Sequence, residues 1–256
     1  KTKKNVLLKG IGRSHLRKKK KRELYMEKNF KNKIEKNEKY VYFPLHVEPE
    51  KVLEIGAPLF TDQIFVIRNI AKFLPVDYKL FVKEHPGMKM LGWRNIDYYE
   101  KIKEIQNVEL IHPSISTQEV IEKSSLVVTI RGSSGLEAAF YKKPSISFYE
   151  DWGYWLIPSM YILKNLEELP NAIKTCLNKK VELTDLNNFV NFIEKTSFEM
   201  PFVKLKHEIA HKFNYNIGYL QQRQIDVKEL EKILDGFKDM FNILTCGQLN
   251  DDILEK

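Results

Sequence analysis

Cysteine is nearly missing from this chain: Cys176 and Cys246 are the only two in 256 residues. Their separation matches no metal-ligand or redox spacing, which excludes a cysteine metal cluster and a CxxC centre. Both fall in apolar-patterned helices and read as small hydrophobic side chains in a reducing cytosol. No apolar run approaches the roughly 18–20 residues that span a bilayer, and no signal-peptide pattern is present. The chain opens on Lys1 rather than Met, so that last absence weighs little, and a piece of a longer chain is expected. Acidic residues are absent from the first 22 positions, whereas eleven of the 42 Lys and Arg lie there. The remainder then holds 31 basic against 34 acidic residues, so the formal charge of +8 belongs to the leader. A body without a basic excess gives no reason to expect a nucleic-acid groove.

What is present fits a soluble α/β protein, with 43% hydrophobic and 30% charged residues. Residues 1–38 read as a basic leader or interdomain linker, with a helix-capable stretch from Arg17 to Lys36. A solvated surface helix is one reading. Electrostatic contact with anionic headgroups, as a peripheral attachment at the inner face of the membrane, is the other.

From Lys39 strand and helix patterns alternate. Strands are expected at Tyr40–Leu45, Tyr78–Val82, Val108–Ile111, Leu126–Ile130 and Ser145–Phe148. Helices are expected at Asp62–Phe73, Tyr98–Ile105, Thr117–Lys123, Leu136–Tyr141 and Leu166–Leu177. Short strands alternating with helices predict a Rossmann-like parallel sheet over 39–180. Beyond Val181 helix dominates, at Leu186–Ile193, Lys204–Tyr215 and Val227–Leu244, giving a helical C-terminal tail over 181–256.

Two motifs stand where strands give way to loops. Lys83-Glu84-His85-Pro86 follows Tyr78–Val82, and Arg131-Gly132-Ser133-Ser134-Gly135 follows Leu126–Ile130. In an open parallel sheet, ligands bind beyond the carboxyl ends of the strands. Pro86 biases His85 toward extended backbone, and strand alternation sends Lys83 and His85 to one face and Glu84 to the other. A lysine supplies a point charge for a phosphate, and a histidine a donor that titrates near neutral pH.

In the second motif Ser133 and Ser134 offer hydroxyls. Gly132 and Gly135 permit close backbone approach, and a helix start faces the loop. It is neither a Walker loop nor the three-glycine dinucleotide fingerprint. Glu137 reads either as a ribose contact or as a helix-dipole carboxylate, and Arg131 as a phosphate contact or an acid's partner. His46 and Glu48 end the first strand on the same edge, as catalytic groups or as satisfied loop residues. Trp93 and Arg94 occupy the loop after the histidine motif, where Trp93 covers a base or sugar face or packs the loop down. His112-Pro113 ends another strand on that edge. His207 and His211, at helical spacing, resemble half of a metal site but lack the intervening Glu of the zinc proteases, so a surface helix is preferred.

Taken together, Tyr42-Phe43-Pro44-Leu45-His46-Val47-Glu48-Pro49-Glu50, Val82-Lys83-Glu84-His85-Pro86-Gly87-Met88 with Gly92-Trp93-Arg94, and Gly132-Ser133-Ser134-Gly135-Leu136-Glu137-Ala138 with Lys143-Pro144 resemble the capsule-polysaccharide biosynthesis family over Lys39 to Leu177. That family is similar to GT-B glycosyltransferases, in which two Rossmann-like domains face each other across a cleft. It resembles the bacterial Kdo transferases and sialyltransferases, whose His-Pro and serine motifs contact a CMP-sugar.

The resemblance implies one half of a GT-B fold, a nucleotide-sugar donor as substrate and a glycan acceptor; no cofactor or metal is required by the layout, since cationic side chains and a helix end could neutralise the phosphate. It implies His85-Pro86 and Ser133-Ser134 as donor contacts. It also implies an acceptor-binding N-terminal domain upstream of residue 1, since one Rossmann-like unit is visible. Two other functions stay open: a sugar-nucleotide epimerase of the same architecture, and a non-catalytic nucleotide-sugar-binding module.

Overall fold

A computed structural model describes residues 3–150 and 153–196, with side chains from residue 16 onward. Six parallel strands form one sheet: β1 (Tyr40–Pro44), β2 (Lys79–Lys83), β3 (Val108–Ile111), β4 (Leu126–Thr129), β5 (Ser145–Ser147) and β6 (Met160–Ile162). Their order is β3-β2-β1-β4-β5-β6, every neighbouring pair parallel. The chain order reverses between β1 and β4, and such a switch point opens a crevice beyond the carboxyl ends of those two strands.

The helices are α1 (Lys3–Asn29), α2 (Lys51–Glu54), α3 (Gln63–Phe73), α4 (Met88–Leu91), α5 (Ile96–Lys103), α6 (Thr117–Lys123), α7 (Ser134–Phe140), α8 (Leu169–Leu177) and α9 (Asn187–Thr196). Side-chain alternation along the strands divides the core into two layers. Val41, Phe43, Leu80, Val82, Leu126 and Val128 join the layer that contains α3, α5 and α8 residues. Tyr40, Tyr42, Phe81 and Val127 turn the other way, toward Val120 and Ile121 of α6 and Ala138 of α7. Tyr40 stacks on Phe81 at 4.1 Å between centroids and donates its hydroxyl to the Val120 carbonyl. Burying each large apolar side chain stabilises the fold by about 1.5–3 kcal/mol.

Local chemistry fixes the helix starts. The Asp62 carboxylate accepts the Phe65 N–H at the start of α3, and the Ser116 hydroxyl accepts the Glu119 N–H at the start of α6. Among the described residues the expected strands and helices appear with ends shifted by up to three residues. α2, α4 and β6 are additional. The helix expected from Leu166 begins as a 3-10 turn, Leu166–Glu168, before Pro170 enters the first turn of α8.

Both expected boundaries of the Rossmann-like unit shift. Met26, Phe30 and Ile34 are buried in the core, so residues 26–34 are part of the body rather than a solvated leader. Met26 and Phe30 join one core layer, where Tyr25 stacks on Tyr99 and Phe30 meets it edge-on, and Ile34, past the end of α1, joins the other. At the other end Val181 and Leu186 are buried, and the compact unit runs to Ser197. The helices expected at 204–215 and 227–244, with His207, His211 and Cys246, lie outside the described residues. Cys176 is a buried free thiol, as expected, and burial pushes its pKa up to about 11.

Candidate functional site

The switch point between β1 and β4 opens into a cavity of about 410 Å³. Of the residues singled out above, His46, Lys83, His85, Pro86, Arg131, Gly132, Ser133, Ser134 and Glu137 line it together. Three strands deliver them: β1 ends just before His46, β2 ends on Lys83, and β4 ends two residues before Arg131.

Lys83 is the most deeply buried cation of the lining, 3% exposed. Its Nζ donates to the Thr117 hydroxyl at 2.9 Å, and no carboxylate lies within ion-pair distance of it among the described residues. Burial alone pushes its pKa below the usual lysine value. A buried ammonium without a counter-ion is costly, and an anionic ligand would offset that cost.

His85 lies above it and is exposed to the cavity. The Gly87 N–H donates to His85 Nδ1 at 3.0 Å. In the neutral ring the proton therefore sits on Nε2, which becomes a donor. Gly87 is tight against this ring: a Cβ there would stand 2.9 Å from Nδ1.

The Gly132–Ser134 turn forms the opposite wall. The Gly132 N–H donates to the Thr129 hydroxyl at 3.0 Å, and a Cβ at Gly132 would stand 2.7 Å from that oxygen. The Ser133 hydroxyl donates to Glu137 at 2.7 Å. Ser134 Oγ is buried without a hydrogen-bond partner, although it lines the cavity. Such orphaned hydroxyls are uncommon, and a ligand oxygen would satisfy this one. The Arg131 guanidinium stacks on Tyr149 at 5.2 Å.

His46 closes the inner wall at 8% exposure. Burial, with the nearby His85 and Arg94 charges adding to it, lowers its pKa to about 4. The ring is therefore neutral at physiological pH.

Four candidates occupy other places. Arg94 is buried and does not line the cavity. Its Nε donates to Glu84 at 2.9 Å, and its other nitrogens reach Glu48 and the His46 carbonyl. Glu84 also accepts from the Tyr99 hydroxyl at 2.8 Å and from the His85 N–H at 2.7 Å. Glu48 is thus held by Arg94 and Gln63 rather than presented as a base. Trp93 packs down, its indole N–H donating to Glu23 at 3.2 Å. Gly135 faces β5 and β6: its carbonyl accepts from the Ser145 hydroxyl, and a Cβ would stand 2.9 Å from Met160. Arg94, Glu48 and Trp93 are each taken up by a protein partner instead of the cavity. His112 also lies off the cavity, paired with Ser114 and 3.5 Å from Glu27.

Sequence reading missed Tyr42, Glu50, Val52, Thr117 and Thr129 in the cavity lining. Thr129 carried a signal, as a hydroxyl at the end of the apolar run Leu126–Val128. Among the described residues no group of three or more His, Cys, Asp or Glu could hold a metal ion. No described helix is long and apolar enough to cross a membrane.

The family model for "Capsule polysaccharide biosynthesis protein" matches residues 3–154, which hold every cavity residue. The chain belongs to that family. No curated protein matches this capsule-family chain. Among solved structures it is similar to the UDP-GlcNAc 2-epimerase of Methanocaldococcus jannaschii, at 16% identity and a TM-score of 0.43. That alignment covers 63% of this chain and 47% of the epimerase. The Thermosulfurimonas dismutans KpsC, a beta Kdo 2,7 transferase, aligns at 15% identity and a TM-score of 0.41, over 68% of this chain and 52% of that one. The chain spans about half the length of these structures.

Proposed function

We propose that this capsule-family chain is the donor-binding half of a GT-B-like glycosyltransferase that moves a sugar from a nucleotide-sugar, a CMP-sugar in the first instance, to a glycan acceptor. The observation that carries the reading is Lys83. It is a buried ammonium without a carboxylate partner, in one cavity with the orphaned Ser134 hydroxyl and the Nε2 donor of His85.

Each group then has a role. Lys83 neutralises a phosphate oxygen from below, and His85 Nε2–H donates to the phosphate from the β2 side. Ser134 donates from the β4 side, and Arg131 adds positive charge at the rim. As the glycosidic bond breaks, negative charge grows on the departing phosphate, and preorganised donors stabilise that charge more than they stabilise the intact donor. Glu137 stands where a ribose hydroxyl would donate to it. His46 is neutral and fixed between β1 and β4, which suits it to shape the wall. The acceptor belongs on a second Rossmann-like domain facing this cleft, which would also exclude water.

Calorimetric titration of the full chain with CMP and with UDP tests the proposal. Binding is expected for one of them, weakened by about 1–3 kcal/mol in Lys83→Met and in Ser134→Ala, with the melting temperature unchanged or raised in Lys83→Met. Absence of binding to either nucleotide, or unchanged affinity in both variants, would overturn it. Incubation with the matching nucleotide-sugar and glycans, read by mass spectrometry, separates transfer from epimerisation.

A further inference from the structure

Among the described residues three carboxylates line the donor cavity: Glu50, Glu84 and Glu137. The protein itself takes up two of them. Glu84 accepts from Arg94, the Tyr99 hydroxyl and the His85 N–H, and Glu137 accepts from the Ser133 hydroxyl. The Glu50 side chain has no hydrogen bond or ion pair among the described residues. It stands at the N-cap of α2, where a carboxylate ordinarily accepts a backbone N–H of the first turn, yet it makes no such bond. Its main chain is fixed all the same. The backbone is extended, at φ −143° and ψ 138°, and the Glu50 carbonyl accepts from Leu53 at 3.2 Å and from Glu54 at 3.0 Å.

The place of Glu50 in the fold sets it apart from the residues assigned to the nucleoside. Glu137 belongs to α7 and Thr117 to α6, and both helices pack on the sheet face that buries Tyr42. Glu50 and Val52 line the cavity from the connection between β1 and α3, and α3 packs on the opposite face. The same connection reaches the rim of the cavity on the β4 side, since a Cβ at Gly56 would stand 1.8 Å from Nη1 of Arg131.

We propose that Glu50 and Val52 form the subsite for the transferred sugar, an assignment that rests on the donor-binding reading above. A carboxylate repels a phosphate, so Glu50 cannot serve the end of the ligand that Lys83, His85 and Ser134 hold. With the ribose toward Glu137, the group on the far side of the phosphate extends toward the β1–α3 connection. An ionised carboxylate only accepts, and its two oxygens take up two neighbouring hydroxyls. A sugar ring presents such hydroxyl pairs at its edge and apolar C–H groups on its faces, which suit Glu50 and Val52 in turn. Glu50 thereby favours a nucleotide that carries its sugar over the bare nucleotide, whose terminal phosphate has the extra negative charge.

Calorimetric titration of the full chain tests this by comparing each nucleotide with its sugar derivative. The pairs are CMP against CMP-N-acetylneuraminate, and UDP against UDP-glucose and UDP-N-acetylglucosamine. At least one nucleotide-sugar should bind more tightly than its nucleotide. Glu50→Gln should weaken that nucleotide-sugar by about ten- to a hundredfold, and should leave the bare nucleotide unweakened or a few-fold tighter. Glu50→Asp should recover part of the loss. Melting temperatures of both variants should hold, because the side chain has no partner in the described fold. A bare nucleotide weakened as much as its sugar derivative would assign Glu50 to the nucleoside or to the loop, and would overturn the inference. So would a sugar advantage that survives Glu50→Gln, or a wild type to which no sugar adds affinity. In those cases nucleotide still binds and the donor-binding reading stands, whereas a wild type that binds neither nucleotide would sink both.

Discussion

His46 Nε2 lies 3.4 Å from the backbone nitrogen of Arg131, whose N–H it accepts, across the switch point of the sheet. The Thr129 hydroxyl is 3.5 Å from the same nitrogen atom. An imidazole that accepts here must carry no proton on Nε2, in keeping with the burial that lowers its pKa to about 4. The ring therefore ties the end of β1 to the turn that opens α7, and protonating it would cut that tie.

This gives a pH prediction. The folded pKa is about 4 against 6.5 for an ordinary histidine. Between those values the unfolded chain binds more protons, so stability rises with pH across this window. The contribution is intact above about pH 6.5 and is lost as pH falls toward 4. Between pH 7 and pH 5 the loss should be about 2 kcal/mol. Urea unfolding of wild type and His46→Gln at both pH values isolates the term, because other titrating groups are common to both. Equal losses in the two proteins would show that His46 does not titrate this way.

Arg94 is a strut. It joins the β2 end, through Glu84, to the β1 loop, through Glu48 and the His46 carbonyl, with its side chain 5% exposed and that of Glu84 fully buried. Arg94→Ala strands a buried carboxylate, which should cost about 3–5 kcal/mol. Arg94→Lys should recover less than half, because an ammonium cannot reproduce the planar fork. Unfolding free energies of the two variants decide it. A cost under about 1 kcal/mol for Arg94→Ala would refute the strut.

The sheet was legible because each of its first four strands is a short, largely apolar run that stops at a polar residue. The cavity was legible for the same reason: His46, the Lys83–Pro86 loop and the Arg131–Ser134 turn all stand at such stops. Arg94 misled because Gly-Trp-Arg in a loop looks accessible, and its partners Glu48 and Glu84 come from separate connections. β6 escaped because three residues, Met160–Ile162, carry no period, and pairing with β5 makes them a strand. Residues 26–34 escaped because their apolar side chains recur every four positions among lysines, and the charge masked the stripe.

That stripe can be tested by contrast within one helix and its flank. Phe30 is 6% exposed in the core, whereas Leu24, six residues earlier, is 53% exposed. Phe30→Ala should cost about 3–5 kcal/mol, and Leu24→Ala should stay within about 0.5 kcal/mol. Thermal melts of the two variants are sufficient. Similar small effects for both would restore residues 1–38 as a detachable leader.

Gly87→Ala separates binding from stability at a single methyl group. Gly87 has helical backbone angles, φ −60° and ψ −26°, so alanine fits the main chain without strain. Among the described residues its new Cβ would meet the His85 ring, 2.9 Å from Nδ1 and 3.3 Å from Cε1, with Val47 next at 3.4 Å. His85 is exposed and free to swing away, so the fold loses almost nothing. The swing breaks the Gly87 N–H to Nδ1 bond and turns Nε2 from the cavity. Nucleotide affinity should fall about tenfold, the effect of one hydrogen bond of about 1.4 kcal/mol, while the melting temperature holds within a degree or two. Adding His85→Ala on top of Gly87→Ala should then cost little more, because the two changes act through the same ring. A full additional loss in the double variant would show that Gly87 acts on the ligand by another route, such as its own backbone N–H.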